Sequence, residues 1–176
     1  MYRTHYISEA KRHPDSEVTI AGWVHEVRDL GKLKFVQVRD RTGIIQVTAK
    51  KGTADEKVLA ARSQPKETVV SVTGKIVASK IAEAGCELIP TKFEILNEIT
   101  TKVPFEVTGK VPADLDVRLD YRYVDMRQFS TSAIFKIRSE IAFAFREKAR
   151  AEGFVEMHPP TIVEAATEGG ADVFKV

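Results

Sequence analysis

An all-β barrel followed by the opening elements of an α+β domain is the architecture this sequence predicts, on three observations. Between residues 17 and 97, short runs rich in valine and isoleucine alternate with polar residues, the period of half-buried strands. Between residues 133 and 152, isoleucine and phenylalanine recur at spacings of three and four, so the period becomes helical. Residues 100–112 carry two prolines, a glycine and no sustained period, which is the composition of an extended connection. The first half reads as three meandering strands, a short helix and two further strands. That is the order of an OB-fold, a small Greek-key barrel whose second and third strands commonly form a binding face.

The first strand spans residues 18–28 and alternates around Gly22, where a bulge or bend is expected. A turn at 29–32 leads into the second strand at 33–39, and DRTG at 40–43 turns into the third at 44–49. Residues 55–62 form the short helix, 68–78 the fourth strand, and the runs 86–89 and 93–96 complete the set. The predicted domains are 1–97 for the barrel and 114–176 for the second, with 98–113 as linker. Acids and arginines alternate through 114–127, which reads as a solvated helix held by local ion pairs of a few tenths of a kcal/mol each. Ser130, Thr131 and Ser132 offer N-caps for a long helix that presents Ile134, Ile137, Ile141 and Phe145 on one face and ends at Gly153. Residues 154–158 form a short strand, because Pro159 and Pro160 lack the amide hydrogens of a continuing ladder. A loop with Glu168 between Thr167 and two glycines follows, where a ligand is able to approach the backbone closely.

Composition narrows the class. Apolar residues at 43% and charged residues at 30% fit a folded core, and a length of 176 fits one small domain plus part of another. A net charge of +2 does not by itself argue for nucleic acid, since binding depends on where the basic residues cluster. The single cysteine, Cys86, excludes an internal disulfide and a paired-cysteine zinc site, and it packs as a small apolar residue. No apolar run has the length of a membrane span and the first residues form no apolar signal core. A cytoplasmic protein without a membrane partner is therefore expected.

The pleat assigns the outer face of the barrel. In the second strand Val36 and Val38 point one way and Phe35, Gln37 and Arg39 the other. By the same parity Gln46 opposes Ile45 and Val47, and Glu87 opposes Cys86 and Leu88. A base stacked on an aromatic ring gains about 1 to 3 kcal/mol without being identified. Identity then has to come from hydrogen bonds, for which the Gln46 amide offers both donor and acceptor. Glu87 is suited to accept from an exocyclic amine, and Arg28, at the end of the first strand, to meet a phosphate or base. Singly, each also reads as a solvated polar residue, and Phe35 as a ring packed under a loop. His158 beside two prolines reads as a surface or interface histidine rather than a catalytic base.

These residues resemble the class II aminoacyl-tRNA synthetases, and among them the archaeal-type aspartyl-tRNA synthetases. The resemblance covers the whole chain and is most specific in GWVHEVR at 22–28, FVQVRDRTGIIQ at 35–46, LDVRLDYRYVDMR at 115–127, GFVEMHPP at 153–160 and ATEGG at 166–170. It implies that residues 1–97 bind the tRNA anticodon, with Arg28 in the contact set, Phe35 stacked on the middle base, Gln46 hydrogen-bonded to that base and Glu87 reading the third. It implies that the long helix and its proline-ended strand are motif 1 of a class II catalytic domain, with Pro160 at the interface of a homodimer. Glu168 matches the acid of the mobile lid loop that closes over aspartate and helps bind its amino group.

ATP and magnesium are the implied cofactors. The arginines and carboxylates that hold them belong to motifs 2 and 3, which these 176 residues lack, so the chain is expected to be part of a longer aspartate–tRNA ligase and inactive alone. His25 stands where members restricted to the aspartate tRNA look to carry tryptophan, and Glu83 lies in the adjacent loop between the fourth and fifth strands. Both would sit near the first anticodon base. Histidine at this place resembles the non-discriminating members, which charge tRNA-Asp and tRNA-Asn alike. Three rivals remain at this point: an asparaginyl-tRNA synthetase, a stand-alone non-catalytic tRNA-binding OB module, and an OB-fold used only for protein contacts.

Overall fold

The computed structural model describes residues 2–30, 33–50 and 64–160 of the chain. The helix expected at 55–62 and the loop bearing Glu168 lie outside these residues. The chain divides into two compact units, residues 1–125 and 126–176.

The first unit contains a short helix α1 (Ile7–Ala10) and five strands: β1 (Glu17–Asp29), β2 (Leu33–Asp40), β3 (Gly43–Lys50), β4 (Val69–Ala78) and β5 (Cys86–Asn97). They close into a barrel in the order β1-β2-β3-β5-β4. β3 and β5 run parallel through a short pairing, while the other neighbours are antiparallel. The even-numbered residues Val18, Ile20 and Val24 of β1 meet Val36, Val38, Ile45, Val47, Val70, Val72, Ile76 and Leu88 in a core with almost no exposure. Each such side chain contributes roughly 1.5 to 3 kcal/mol relative to a solvated one. The lone Cys86 packs in this core.

The irregularities lie in different places from those expected. Gly22 is not the bulge. It is a point of close approach between β1 and β2, where a Cβ would stand 2.3 Å from the carbonyl oxygen of Arg39. The bulge in β1 falls between Val24 and Glu26, so that His25 is the extra residue opposite β2. The runs 86–89 and 93–96 join in one continuous strand, β5, which keeps the expected count of five. Pro90, which has no amide hydrogen to give, is accommodated by a register shift between Thr73 and Gly74 of β4.

The β2–β3 turn is closed by a carboxylate. Neither Arg41 nor Thr42 has a positive φ. Instead Asp40 Oδ1 accepts from the Thr42 amide at 2.7 Å, the Thr42 hydroxyl at 2.6 Å and the Gly43 amide at 3.1 Å. Asp40 Oδ2 accepts from the Ile7 amide at 2.8 Å, and this bond pins α1, whose Ile7 and Ala10 are fully buried, to the barrel.

Residues 98–113 do not merely separate two cores. Val107 is buried, Lys110 pairs with Glu26 at 2.6 Å, and Lys66 pairs with Glu106, so this segment lies along the barrel. The charged stretch at 114–127 is likewise not one solvated helix. It forms α2 (Leu115–Asp120) and α3 (Arg122–Asp125), broken at Tyr121, whose φ and ψ of −110° and 46° are not helical. Its ion pairs converge on the fully buried Asp125, which accepts from Arg118 Nε at 2.8 Å and Arg122 Nη1 at 2.6 Å.

In the second unit α4 (Phe129–Ala151) has Gln128 at its N-cap position and no side-chain cap bond from a serine or threonine. Its other end is a Schellman motif. Gly153, at φ +85°, donates to the Arg150 carbonyl at 3.1 Å, and Phe154 donates to the Ala149 carbonyl at 3.0 Å. The strand expected at 154–158 has no ladder to any described strand. An extended segment becomes a strand only with a hydrogen-bonded neighbour.

Asp40→Ala leaves the buried Ile7 amide without an acceptor and opens the turn. Urea denaturation is expected to show a loss of about 2 to 4 kcal/mol, with Asp40→Asn, which keeps one acceptor oxygen, in between. A loss below about 0.5 kcal/mol would remove this carboxylate from the account of the fold.

Candidate nucleic-acid interface

Two rows of side chains cross the outer wall of the barrel. One is Arg28, Phe35 and Thr48, in register across β1, β2 and β3. The other is Glu26, Gln37, Gln46 and Glu87, in register across β1, β2, β3 and β5. Arg28 is exposed and the other six are half-buried, while the inward neighbours Val36, Val38, Ile45, Val47 and Leu88 are sealed. The bulge at His25 is what puts β1 in step. Upstream of it even-numbered residues face the core, and downstream Val27 does, so Arg28 turns outward beside Phe35. Were β1 regular through His25, with no bulge, Arg28 would point into the barrel.

The second row is already hydrogen-bonded. Gln46 Nε2 donates to Glu87 Oε2 and to Thr48 Oγ1, both at 3.1 Å, and the Thr48 hydroxyl donates to Glu87 Oε2 at 2.5 Å. Because a carboxylate only accepts, the amino end of the Gln46 amide must face it and the carbonyl must face away. The face therefore offers a half-buried ring flanked by two acceptors that have no hydrogen bond among the described residues, the Gln46 carbonyl and Glu87 Oε1. Arg28 Nη2 pairs with Glu26 at 2.9 Å, and Glu26 also holds Lys110. These two cations keep the Glu26 carboxyl below the ordinary carboxylate range, Lys110 having the larger effect.

His25 stands beside this face at the bulge. Its Nδ1 lies 2.9 Å from Arg39 Nη1, and Arg39 Nη2 is held by both oxygens of Glu67 at 2.7 and 3.0 Å. Arg39 and Glu67 are both buried, and Arg39 also lies over the Trp23 ring at 5.8 Å. Glu67 has a φ of +71°, a conformation that non-glycine residues seldom adopt, and is kept there by its amide bond to the Val24 carbonyl at 2.7 Å, beside the bulge. Burial lowers the His25 pKa below the ordinary imidazole value, and the Arg39 guanidinium lowers it further. Glu83 is exposed in the β4–β5 loop with no hydrogen bond to His25, and Pro160 is exposed at the end of the described residues.

Known proteins share both halves of this arrangement. Residues 18–96 match the model of an OB-fold nucleic acid binding domain of the tRNA anticodon type, and residues 114–176 match that of the class II tRNA synthetases for D, K and N. The whole chain aligns at 47% identity with an aspartate–tRNA(Asp) ligase of Pyrococcus furiosus, and 97% of it at 44% with an aspartate–tRNA(Asp/Asn) ligase of Archaeoglobus fulgidus. The chain belongs to the class II aminoacyl-tRNA synthetases. It spans about 40% of the length of those relatives, 41% and 40% respectively. Among solved structures, the asparaginyl-tRNA synthetase of Pyrococcus horikoshii in complex with asparaginyl-adenylate superposes with a TM-score of 0.88 at 31% identity. That match covers all of this chain and 41% of that one.

Within this synthetase chain, sequence reading placed Phe35, Gln46 and Glu87 on one face but missed two contributors. Thr48 shares the parity of Gln46 and was legible on that ground. The Arg39–Glu67 pair was not, since 28 residues separate its members and no local pattern joins them.

The His25 environment gives a pH dependence. Its folded pKa lies below the ordinary value of 6.5, so its contribution is fully present above that value and is lost as the unfolded chain takes up the proton first. Unfolding free energy is therefore expected to decline between pH 7 and pH 5, before Glu26, with an ordinary value of 4.5, begins to titrate. In His25→Gln that part of the slope should vanish. Parallel slopes for the two proteins in urea melts across this window would refute the assignment.

Proposed function

We propose that this chain supplies the anticodon-binding domain and the motif 1 region of an aspartate–tRNA ligase, which joins aspartate to tRNA with ATP and magnesium. The observation that carries the reading is the pair of outward rows, which set an aromatic ring beside two oriented acceptors. A splayed-out middle base stacks on Phe35 and gives its ring N–H to the Gln46 carbonyl. The third base gives an amine to Glu87, and Arg28 meets a neighbouring phosphate or base. ATP and magnesium are held by motifs 2 and 3 of such a ligase, as the resemblance implies. Glu168 binds the amino group of aspartate, and Pro160 lies at the interface of a homodimer.

Relatives at 44 to 47% identity bear the aspartate name, whereas the asparaginyl enzyme with the similar fold stands at 31%, which favours aspartate over asparagine as the amino acid. Relatives restricted to tRNA-Asp and relatives acting on both tRNAs match about equally well, at 47% and 44%, so overall likeness does not separate these two specificities. The reading that this protein serves both tRNAs rests on His25, with Glu83 in the loop nearby.

Phe35→Ala is expected to weaken binding of an anticodon hairpin by about 1 to 3 kcal/mol, roughly 5- to 150-fold, in a fluorescence-anisotropy titration. Unchanged affinity with an intact barrel would refute the stacking role. The full-length ligase is expected to aspartylate tRNA-Asn as well as tRNA-Asp. Failure on tRNA-Asn alone would return it to the discriminating group.

A further inference from the structure

An arginine nitrogen donates hydrogen bonds and never accepts them, so His25 Nδ1, 2.9 Å from Arg39 Nη1, must be the acceptor. The proton of the neutral ring then resides on Nε2, which has no hydrogen-bond partner among the described residues. Arg39 has little freedom to release Nδ1, since Glu67 grips its other terminal nitrogen with both oxygens and both side chains are buried. Glu67 is anchored in turn through the backbone at Val24, next to the bulge that carries His25.

The imidazole lines a cleft of about 350 Å³ that residues 98–113 complete. Phe105, Val103 and Val107 give it apolar walls, and Lys66, Lys102 and Glu106 lie at its polar side. Lys66 is engaged by Glu106, while Lys102 forms no ion pair among the described residues. Apolar walls suit a flat ring, a lone cation suits its phosphate, and one oriented N–H supplies direction.

We propose that Arg39 and Glu67 are positioning residues that hold His25 as a hydrogen-bond donor into this cleft. The cleft thereby becomes a receptor for the carbonyl oxygen of a nucleobase, which accepts the hydrogen bond from His25 Nε2. The nucleobase part rests on the RNA-binding reading above, whereas the positioning part stands on the structure alone. The charged groups around the imidazole are Arg39 from β2, Glu67 and Lys66 from the segment before β4, Glu26 from β1, and Lys102 and Glu106 from residues 98–113. Burial and the nearest of them, Arg39, oppose protonation, which keeps Nδ1 an acceptor near neutral pH.

The test has two arms on the 176-residue chain. Long-range proton–nitrogen correlation spectra are expected to show His25 in the Nε2–H form with a midpoint below 6.5. Arg39→Met should give mixed tautomers and a higher midpoint, and Arg39→Lys should restore the wild-type form in part. In the second arm, a hairpin with the anticodon GUC is compared with one whose first base is 2-aminopurine, which lacks the carbonyl oxygen. Wild-type protein should prefer the carbonyl by roughly three- to tenfold, and Arg39→Met should bring the ratio near one. A wild-type Nδ1–H ring, or a tautomer unmoved in Arg39→Met, overturns the positioning. Equal binding of the two hairpins overturns the ligand. If neither hairpin binds, the RNA reading fails and the nucleobase with it, while the spectra still decide the positioning. Should Arg39→Met not fold, Glu67→Gln takes its place, with smaller shifts expected in the same directions.

Discussion

One extra residue in β1 governs the outer face of this barrel. A strand wall admits side chains on two sides only, so an insertion exchanges the sides for everything that follows. At His25 the exchange keeps Val27 against the core, turns Arg28 out beside Phe35, and leaves the imidazole opposite no partner of its own in β2. The bulge needs support, because an unpaired residue breaks the ladder locally. It receives that support from Glu67 and Thr68, whose backbones bond both sides of Val24, and from the Arg39 guanidinium that ties Glu67 to His25.

The same economy of partners orders the rest of the face. Glu87 draws the Gln46 amide and the Thr48 hydroxyl to one oxygen, which leaves acceptors pointing outward in fixed positions. Glu26 holds Arg28 from its own strand and Lys110 from the following segment. A surface fixed in this way has little side-chain freedom left to lose on binding, which favours affinity. Exposed pairs such as Arg28–Glu26 add little stability of their own, so their consequence is orientation.

The second unit shows a different balance. α4 is finished at its C-terminus by a glycine in the left-handed region and a full set of capping bonds, yet its apolar residues stand open, with Ile141 and Phe145 62% and 75% exposed. Propensity and capping define such a helix without a core on every side.

The sequence by itself determined the barrel, because a period of two repeated over successive runs has few closed solutions, and it determined the core side of Val36, Val38, Ile45, Val47 and Leu88. It also determined the end of α4, where Gly153 is the residue that a positive φ requires. Phe35, Gln46 and Glu87 were legible for the same reason of parity. Only the tertiary structure decided the bulge at His25, the continuity of β5 through Pro90, and the break at Tyr121 that carries Asp125 into the interior. It alone decided the Arg39–Glu67 pair and the cleft walled by residues 98–113. Each of these depends on groups distant along the chain meeting across a closed wall, and local periodicity holds no record of which distant groups will meet.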